Sequence, residues 1–154
     1  MKRIILFLAL IIAVSSLSVS AAPEVDARSA VLAEVSSGTV IYEKNPDERV
    51  PIASVTKVMT ALLAMEAIER GELKYDDMIT ASAYAESMGG SQIYLETGEQ
   101  MSVDDILKAV MVASGNDAAV ALAEHIGGTY ENFIKMMNDR AKSLGLKNTH
   151  FVDS

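Results

Sequence analysis

Ser54 and Lys57 are the residues of this sequence whose types and spacing most directly suggest chemistry. Lys57 is the only charged residue between Arg49 and Glu66, one turn into a segment that is otherwise apolar. Burying an ammonium group is costly unless the group is paired or its pKa falls. Because residues three apart share a helical face, the Ser54 hydroxyl and the Lys57 amine can meet at a helix N-terminus. A serine beside a neutral lysine is an activated nucleophile, and the helix dipole there favours a developing oxyanion.

The same residues also allow a purely structural interpretation. Ser54 would then be a helix N-cap, and Lys57 would extend its ammonium to the surface along an apolar stem. Ser114-Gly115-Asn116 lies between two predicted helices, where its side chains either project into a cleft or, with Asn116 or Asp117, cap the next helix. The residues alone leave both interpretations open.

The elements that must position these residues are a hairpin and several helices. Two apolar, β-branched runs separated by Ser36-Ser37-Gly38 predict the strands of the hairpin, at 31–35 and 39–43. Residues 54–70 predict a helix that ends at Gly71, and its apolar character on nearly every side predicts burial. Residues 74–100 predict mainly loops with turns. Helix starts and stops predict three further helices, at 102–113, 117–126 and 129–144.

The predicted elements leave the sheet short of strands. Two strands do not form a stable sheet by themselves, so we expect further strands beyond Ser154. We therefore interpret residues 22–154 as the N-terminal part of a larger domain.

Composition excludes several classes of protein and of site. A chain of 154 residues without cysteine is the length of one domain and must rely on core packing rather than disulfides or thiolate metal sites. No pair of histidines or carboxylates has convincing metal-ligand spacing, so we predict neither a metal nor another cofactor. His125 is interpreted as a surface or helix-end residue, and His150 lies in a terminal segment.

The N-terminus predicts export. Lys2 and Arg3 precede an apolar run at 4–14 and a small-residue stretch that ends at Ala21, which is the layout of a secretory signal peptide over 1–21. The run is too short to span about 30 Å of hydrocarbon comfortably. Its removal takes away two positive charges and no acid, so the net charge changes from −8 to −10. An acidic, extracytoplasmic protein is a poor ligand for nucleic acid.

Three stretches resemble one enzyme family. Ser54-Val55-Thr56-Lys57 and Ser114-Gly115-Asn116 resemble motifs of the penicillin-binding protein and serine β-lactamase superfamily. Residues 51–60, 113–119 and 144–151 are similar to the low-molecular-mass D-alanyl-D-alanine carboxypeptidases. The resemblance implies a mixed α/β (α+β) fold of the DD-peptidase type: an N-terminal hairpin, a buried nucleophile helix and a helical subdomain, with the remaining sheet strands not present in these residues.

The resemblance also implies roles for four residues. Ser54 would be the acylated nucleophile, Lys57 its general base and Ser114 the hydroxyl that relays a proton to the leaving group. Asn116 would hydrogen-bond Lys57 and the substrate amide. The third family motif, Lys-Thr-Gly on a strand at the edge of the site, does not occur in the sequence. Because losing one oxyanion donor costs roughly 10² to 10³ in rate, we expect little activity from these residues alone.

The implied substrate is the D-Ala-D-Ala end of a peptidoglycan stem peptide, with β-lactam antibiotics as inhibitors and the bacterial envelope as the location. Any membrane anchor would lie outside these residues. A serine β-lactamase and a non-catalytic, envelope-binding pseudo-enzyme remain alternatives. Ser114-Gly115-Asn116 in place of Ser-Asp-Asn argues against a class A β-lactamase, and no deacylating carboxylate can be assigned.

Overall fold

Residues 24–154 are described by a computed structural model, and they divide into two units, one ending at Val50 and the other comprising Pro51–Ser154. The predicted signal peptide over 1–21 lies outside the described residues. None of the helices within residues 24–154 is long and apolar enough to cross a membrane.

The first unit contains an antiparallel hairpin of strands β1 (Ala30–Ala33) and β2 (Val40–Lys44). The connecting turn is stabilised by the Glu34 carboxylate, which accepts hydrogen bonds from the Ser36 hydroxyl and from the backbone N–H groups of Ser36 and Ser37. The nearby polar groups, first the Ser37 side chain and then the Ser36 backbone and side chain, lower the pKa of Glu34 to about 2. The hairpin predicted at 31–35 and 39–43 is confirmed.

The second unit contains five α-helices and a two-stranded sheet. A 3-10 turn, Ala53–Thr56, leads directly into the first helix. In chain order the elements are α1 (Lys57–Glu69), β3 (Met78–Thr80), α2 (Ala83–Glu86), β4 (Gln100–Ser102), α3 (Val103–Val112), α4 (Asn116–Gly127) and α5 (Tyr130–Ser143). Strands β3 and β4 pair antiparallel.

The predicted helices are confirmed to within a few residues at their ends, and two of them begin at side-chain caps. Ser102 and Thr129 each accept a hydrogen bond from the backbone N–H three residues later, as N-caps do. The prediction of mainly loops over 74–100 is confirmed, but it did not include the short elements β3 and α2 within this range or β4, which begins at its last residue. Elements of three or four residues are too short to show a hydrophobic period, and β3 and β4 depend on each other for pairing.

Helix α4 is the centre of the core. All its residues from Asp117 to Ala123 are buried, and it contacts α1, α2, α3 and α5. Four alanines in this stretch allow the neighbouring helices to approach closely. The largest fully buried apolar side chains of the described residues are Ile79, Val103, Ile106, Val110, Leu122, Phe133 and Met137, and Leu122 lies on α4 itself.

Helix α1 is buried on one side only, so the prediction of burial on nearly every side is wrong for the described residues. Leu63, Ala64 and Ala67 pack into the core, whereas Val58 is 57% exposed and Met65 is 45% exposed. Its apolar character does not distinguish a helix covered on one face from one covered all round. Whether a face of this helix is buried depends on which neighbouring helices or strands pack against that face.

Gly127 marks a close approach between α4 and α5, and its replacement tests that packing. A Cβ at Gly127 would lie 2.8 Å from the backbone nitrogen of Phe133 and 2.9 Å from its Cβ. We expect Gly127→Ala to lower the free energy of unfolding by about 1–3 kcal/mol, as overpacking does, measured by urea denaturation. Gly89→Ala is the control, because a Cβ there meets nothing within 4 Å. Equal stability of the two variants would contradict this close packing.

Candidate active site

The Ser54–Lys57 segment is a 3-10 turn followed by a helix, not one α-helix from Ser54 as predicted. Ile52 is the N-cap of the turn, so the interpretation of Ser54 as N-cap is wrong. In a 3-10 turn the side chains at i and i+3 eclipse each other, which brings the Ser54 hydroxyl and the Lys57 stem to one side more directly than an α-helix would. The Ser54 backbone carbonyl accepts the Lys57 N–H. Ser54 is exposed, whereas Lys57 is 5% exposed.

Two hydrogen bonds join this turn to the start of α4. The Ser114 hydroxyl donates to the Ser54 Oγ at 2.8 Å, and the Lys57 Nζ donates to the Asn116 Oδ1 at 2.6 Å. The structure therefore brings together the four residues that the sequence predicted as a site, as two hydrogen-bonded pairs, and the side-chain bonds found in residues 24–154 do not include one between the Ser54 Oγ and the Lys57 Nζ. We call these four residues the Ser54 centre.

The corner between α3 and α4 has a strained backbone that presents Ser114. Ser114 has a φ of 56°, in the left-handed region that residues other than glycine seldom adopt. The following Gly115 donates its N–H to the Ala109 carbonyl at 3.1 Å. Strain of this kind persists only where the surrounding structure enforces it, and it is concentrated at functional sites.

The orientation of the Asn116 side chain is determined by the segment 89–95. Its Nδ2 donates to the Gly89 carbonyl at 2.7 Å, and its backbone N–H donates to the Ser91 carbonyl at 2.7 Å. Because the NH₂ end is bound to a carbonyl, the oxygen end faces the Lys57 amine and accepts its hydrogen bond.

The environment of Lys57 favours a neutral amine more than water does. Burial lowers the pKa of Lys57 from its usual 10.5, and the charge of Asp153 opposes part of this effect. The cause is desolvation, which disfavours the ammonium form. A larger fraction of neutral amine at a given pH is what a general base requires.

Asp117 and the segment 89–95 support the site and were not among the residues predicted for it. The Asp117 carboxylate is 1% exposed and accepts backbone hydrogen bonds from Ile93 and Leu95, and one from Ala118. Between the first two lies Tyr94, with a φ of 63°. An acidic residue directly before an unbroken apolar helix was the available signal, because such a residue is buried only when it is hydrogen-bonded.

No metal site competes with this centre in the described part of the chain. Residues 24–154 contain no group of three or more His, Asp or Glu side chains arranged to hold a metal ion. His125 is exposed near the end of α4.

Gly90 packs directly against the site, which provides a test of the Asn116 orientation. A Cβ at Gly90 would lie 2.8 Å from the Asn116 Nδ2, so Gly90→Ala must displace the amide that binds Lys57. If Ser54 is acylated by penicillins, as the family resemblance implies, we expect this acylation to slow by roughly 10- to 100-fold, the effect of losing a hydrogen bond to a charged group. Gly71→Ala is the control, because its φ of 72° resembles the 82° of Gly90 and a Cβ there has no contact. Equal acylation rates for both variants would contradict this arrangement.

Comparison with known proteins identifies relatives across most of the chain. Residues 16–154 match the model of the D-alanyl-D-alanine carboxypeptidase family. The D-alanyl-D-alanine carboxypeptidase DacF of Bacillus subtilis is 56% identical over 126 residues, which cover 82% of this chain and 32% of DacF. The chain spans about a third of the length of the curated relatives it matches.

Solved structures give the same result. The D-alanyl-D-alanine carboxypeptidase DacD of Francisella tularensis superposes with a TM-score of 0.81 and 43% identity, covering 85% of this chain and 32% of DacD. Penicillin binding protein 5 of Haemophilus influenzae superposes with a TM-score of 0.81 and 39% identity, covering 86% and 39% of the two chains. The mixed α/β fold is therefore that of the DD-peptidases, as predicted. With a family match over most of its length and this fold, the chain belongs to the D-alanyl-D-alanine carboxypeptidase family.

Proposed function

We propose that the Ser54 centre is the acylation site of a serine D-alanyl-D-alanine carboxypeptidase, which removes the terminal D-alanine from peptidoglycan stem peptides. The observation that carries the proposal is the pair of hydrogen bonds, Ser114 to Ser54 and Lys57 to Asn116, between segments about 60 residues apart in sequence. A nucleophile, a base and two polar partners converge there, as a Ser–Lys acyl-transfer site requires. Family membership supplies the reaction class and the substrate.

In the acylation step, neutral Lys57 accepts the Ser54 hydroxyl proton while the Ser54 Oγ attacks the carbonyl carbon of the penultimate D-alanine. The oxyanion that forms is stabilised by the Ser54 backbone N–H as one donor. The peptide C–N bond then breaks and leaves an ester on Ser54. The departing amine of the terminal D-alanine takes up a proton through the Ser114 hydroxyl, and water later hydrolyses the ester to regenerate Ser54.

The geometry supports these assignments of the proton-transfer groups. The Ser114 hydroxyl donates to the Ser54 Oγ and can accept a proton at the same time, which a relay between base and leaving group requires. Asn116 presents an acceptor to Lys57 and fixes the amine without removing its ability to take up a proton. Lys57 is itself buried, and this burial favours the neutral form of its amine.

Two assays distinguish this function from its alternatives. A carboxypeptidase should form a long-lived covalent adduct with a fluorescent penicillin and release D-alanine from a peptide ending in D-Ala-D-Ala. Rapid turnover of nitrocefin without a persistent adduct would instead indicate a β-lactamase. Neither adduct nor turnover, in a protein that includes the strands expected beyond Ser154 and is shown to be folded by circular dichroism, would indicate a non-catalytic binding module.

We further propose that the protein is exported and acts outside the cytoplasm at the cell envelope. We expect cleavage after Ala21, so that the mature protein begins at Ala22, because the charged, apolar and small-residue regions of 1–21 form a signal peptide. Mass spectrometry of the N-terminal peptide from the native host measures this directly. A cytoplasmic product that retains Met1 would contradict both export and access to peptidoglycan.

A further inference from the structure

Asp117 has an environment that a simple helix N-terminus does not require. It occupies the first turn of α4 but is 1% exposed, whereas Asp105, which also lies in the first turn of a helix, α3, is exposed. Its Oδ2 accepts the Leu95 N–H at 3.0 Å, and its Oδ1 accepts the Ala118 N–H at 2.9 Å. The Ile93 N–H lies 3.1 Å from both oxygens. The carboxylate therefore accepts hydrogen bonds from three backbone N–H groups, two of them from a distant segment.

These bonds fix an unfavourable backbone conformation. Ile93 and Leu95 flank Tyr94, whose φ of 63° is unusual for a bulky residue. The Tyr94 side chain is 80% exposed, so side-chain burial does not account for this conformation. The two hydrogen bonds to Asp117 on either side of Tyr94 do account for it, since both must be made at once.

The same segment binds Asn116 through its other end. Gly89 and Ser91 supply the carbonyls that hydrogen-bond the Asn116 side-chain and backbone N–H groups. One end of the segment 89–95 is therefore bound to Asp117 through residues 93 and 95. The other end is bound to Asn116 through residues 89 and 91, and Asn116 in turn binds Lys57. Asp117 itself has no hydrogen bond with Ser54, Lys57 or Ser114 among those found in residues 24–154.

We infer that Asp117 is a positioning residue: its buried carboxylate fixes the segment 89–95, and this segment orients the Asn116 amide oxygen toward Lys57. The inference rests on the proposed function of the Ser54 centre. Asp117 touches neither the substrate nor the reacting atoms, and it acts on the general base through Asn116. Losing this support should lower the rate of Ser54 acylation without lowering the amount of Ser54 that can be acylated.

The test compares Asp117→Asn with Asp105→Asn. Asparagine has almost the shape of aspartate but offers one acceptor oxygen, so it cannot accept from Leu95 and Ala118 as the carboxylate does. Asp105→Asn removes the same charge from the first turn of α3, where the carboxylate is exposed. We expect the rate constant for fluorescent penicillin acylation to fall roughly 10- to 100-fold in Asp117→Asn, with an unchanged final labelled fraction. The control should change much less.

A second pair of variants acts on the segment without touching Asp117, in case Asp117→Asn does not fold. Tyr94→Val places a β-branched residue at positive φ, whereas Tyr94→Gly removes the conformational cost. Since the side chain is exposed, both variants should fold. We expect Tyr94→Gly to be acylated at least about ten times faster than Tyr94→Val. Equal rates for these two variants would overturn the inference.

Two further outcomes are decisive. A smaller labelled fraction with a normal rate constant in Asp117→Asn would show a purely structural role and overturn the inference.

If the unmodified protein forms no adduct, the proposed function fails, and NMR tests the positioning role separately. Asp117→Asn should then still shift the Asn116 side-chain amide signals and speed hydrogen exchange at Ile93 and Leu95. Unchanged Asn116 signals would overturn the positioning role.

Discussion

Lys57→Arg should reduce the acylation of Ser54 by penicillin at least about 10³-fold, within the range for loss of a general base. Arginine keeps the positive charge but does not lose its proton near neutral pH, so it cannot accept the Ser54 hydroxyl proton. The measurement is the rate of fluorescent penicillin labelling, made on a protein extended through the strands that are expected beyond Ser154. Lys108→Arg is the matched control, because Lys108 is exposed on α3 and its ion pairs with Asp104 and Asp105 accept either cation.

Lys57→Met separates the loss of the base from unfolding. Methionine has a similar length and is compatible with a buried position, so this variant should fold and should also fail to become acylated. Retention of labelling in either Lys57 variant would remove Lys57 from the mechanism.

The lowered pKa of Lys57 predicts the direction of two pH effects. Acylation should become faster as pH rises through a midpoint below 10.5, because the neutral amine is the reactive form. Between that midpoint and 10.5 the unfolded chain binds more protons at this position than the folded chain does. The stability of the unmodified protein relative to Lys57→Met should therefore rise with pH across this interval. Denaturation of both proteins over the pH range measures the difference.

Ser54→Ala should abolish the covalent penicillin adduct, with a loss on the order of 10⁶-fold, as for other serine nucleophiles. The hydroxyl supplies the attacking oxygen, and neither Lys57 nor Ser114 replaces it. Mass spectrometry of the protein after incubation with penicillin measures the adduct, and digestion places it on a peptide. The matched control is Ser87→Ala, because Ser87 is exposed at the end of α2 and bonds only a local carbonyl.

The position of the adduct matters as much as its loss. The adduct of the unmodified protein should lie on the peptide that contains Ser54. An adduct on Ser114, the other serine of the centre, would reverse the assigned roles of nucleophile and relay. Stable folding of Ser54→Ala, measured by circular dichroism, would show that the loss is chemical.

Local sequence determined much of this protein. The hairpin and four of the five helices follow from turn residues, capping residues and apolar runs that act over a few positions. The Ser54 and Lys57 spacing is local in the same sense, because three residues of helical backbone place both side chains on one face. The resemblance to the family rests on such contiguous stretches and named Ser54, Lys57, Ser114 and Asn116 without knowledge of their contacts.

Tertiary structure decided how these residues meet and what supports them. Ser54 and Ser114 are 60 positions apart, and no local rule determines which end of the Asn116 amide faces Lys57. The carbonyls of Gly89 and Ser91 and the buried Asp117 carboxylate decide that orientation through long-range hydrogen bonds. The same reason explains why β3 and β4 escaped prediction and why α1 is covered on only one face. Strand pairing and the burial of a helix face depend on residues that are distant in sequence, whereas helix propensity, helix capping and side-chain spacing along a helix depend on residues that are adjacent in sequence.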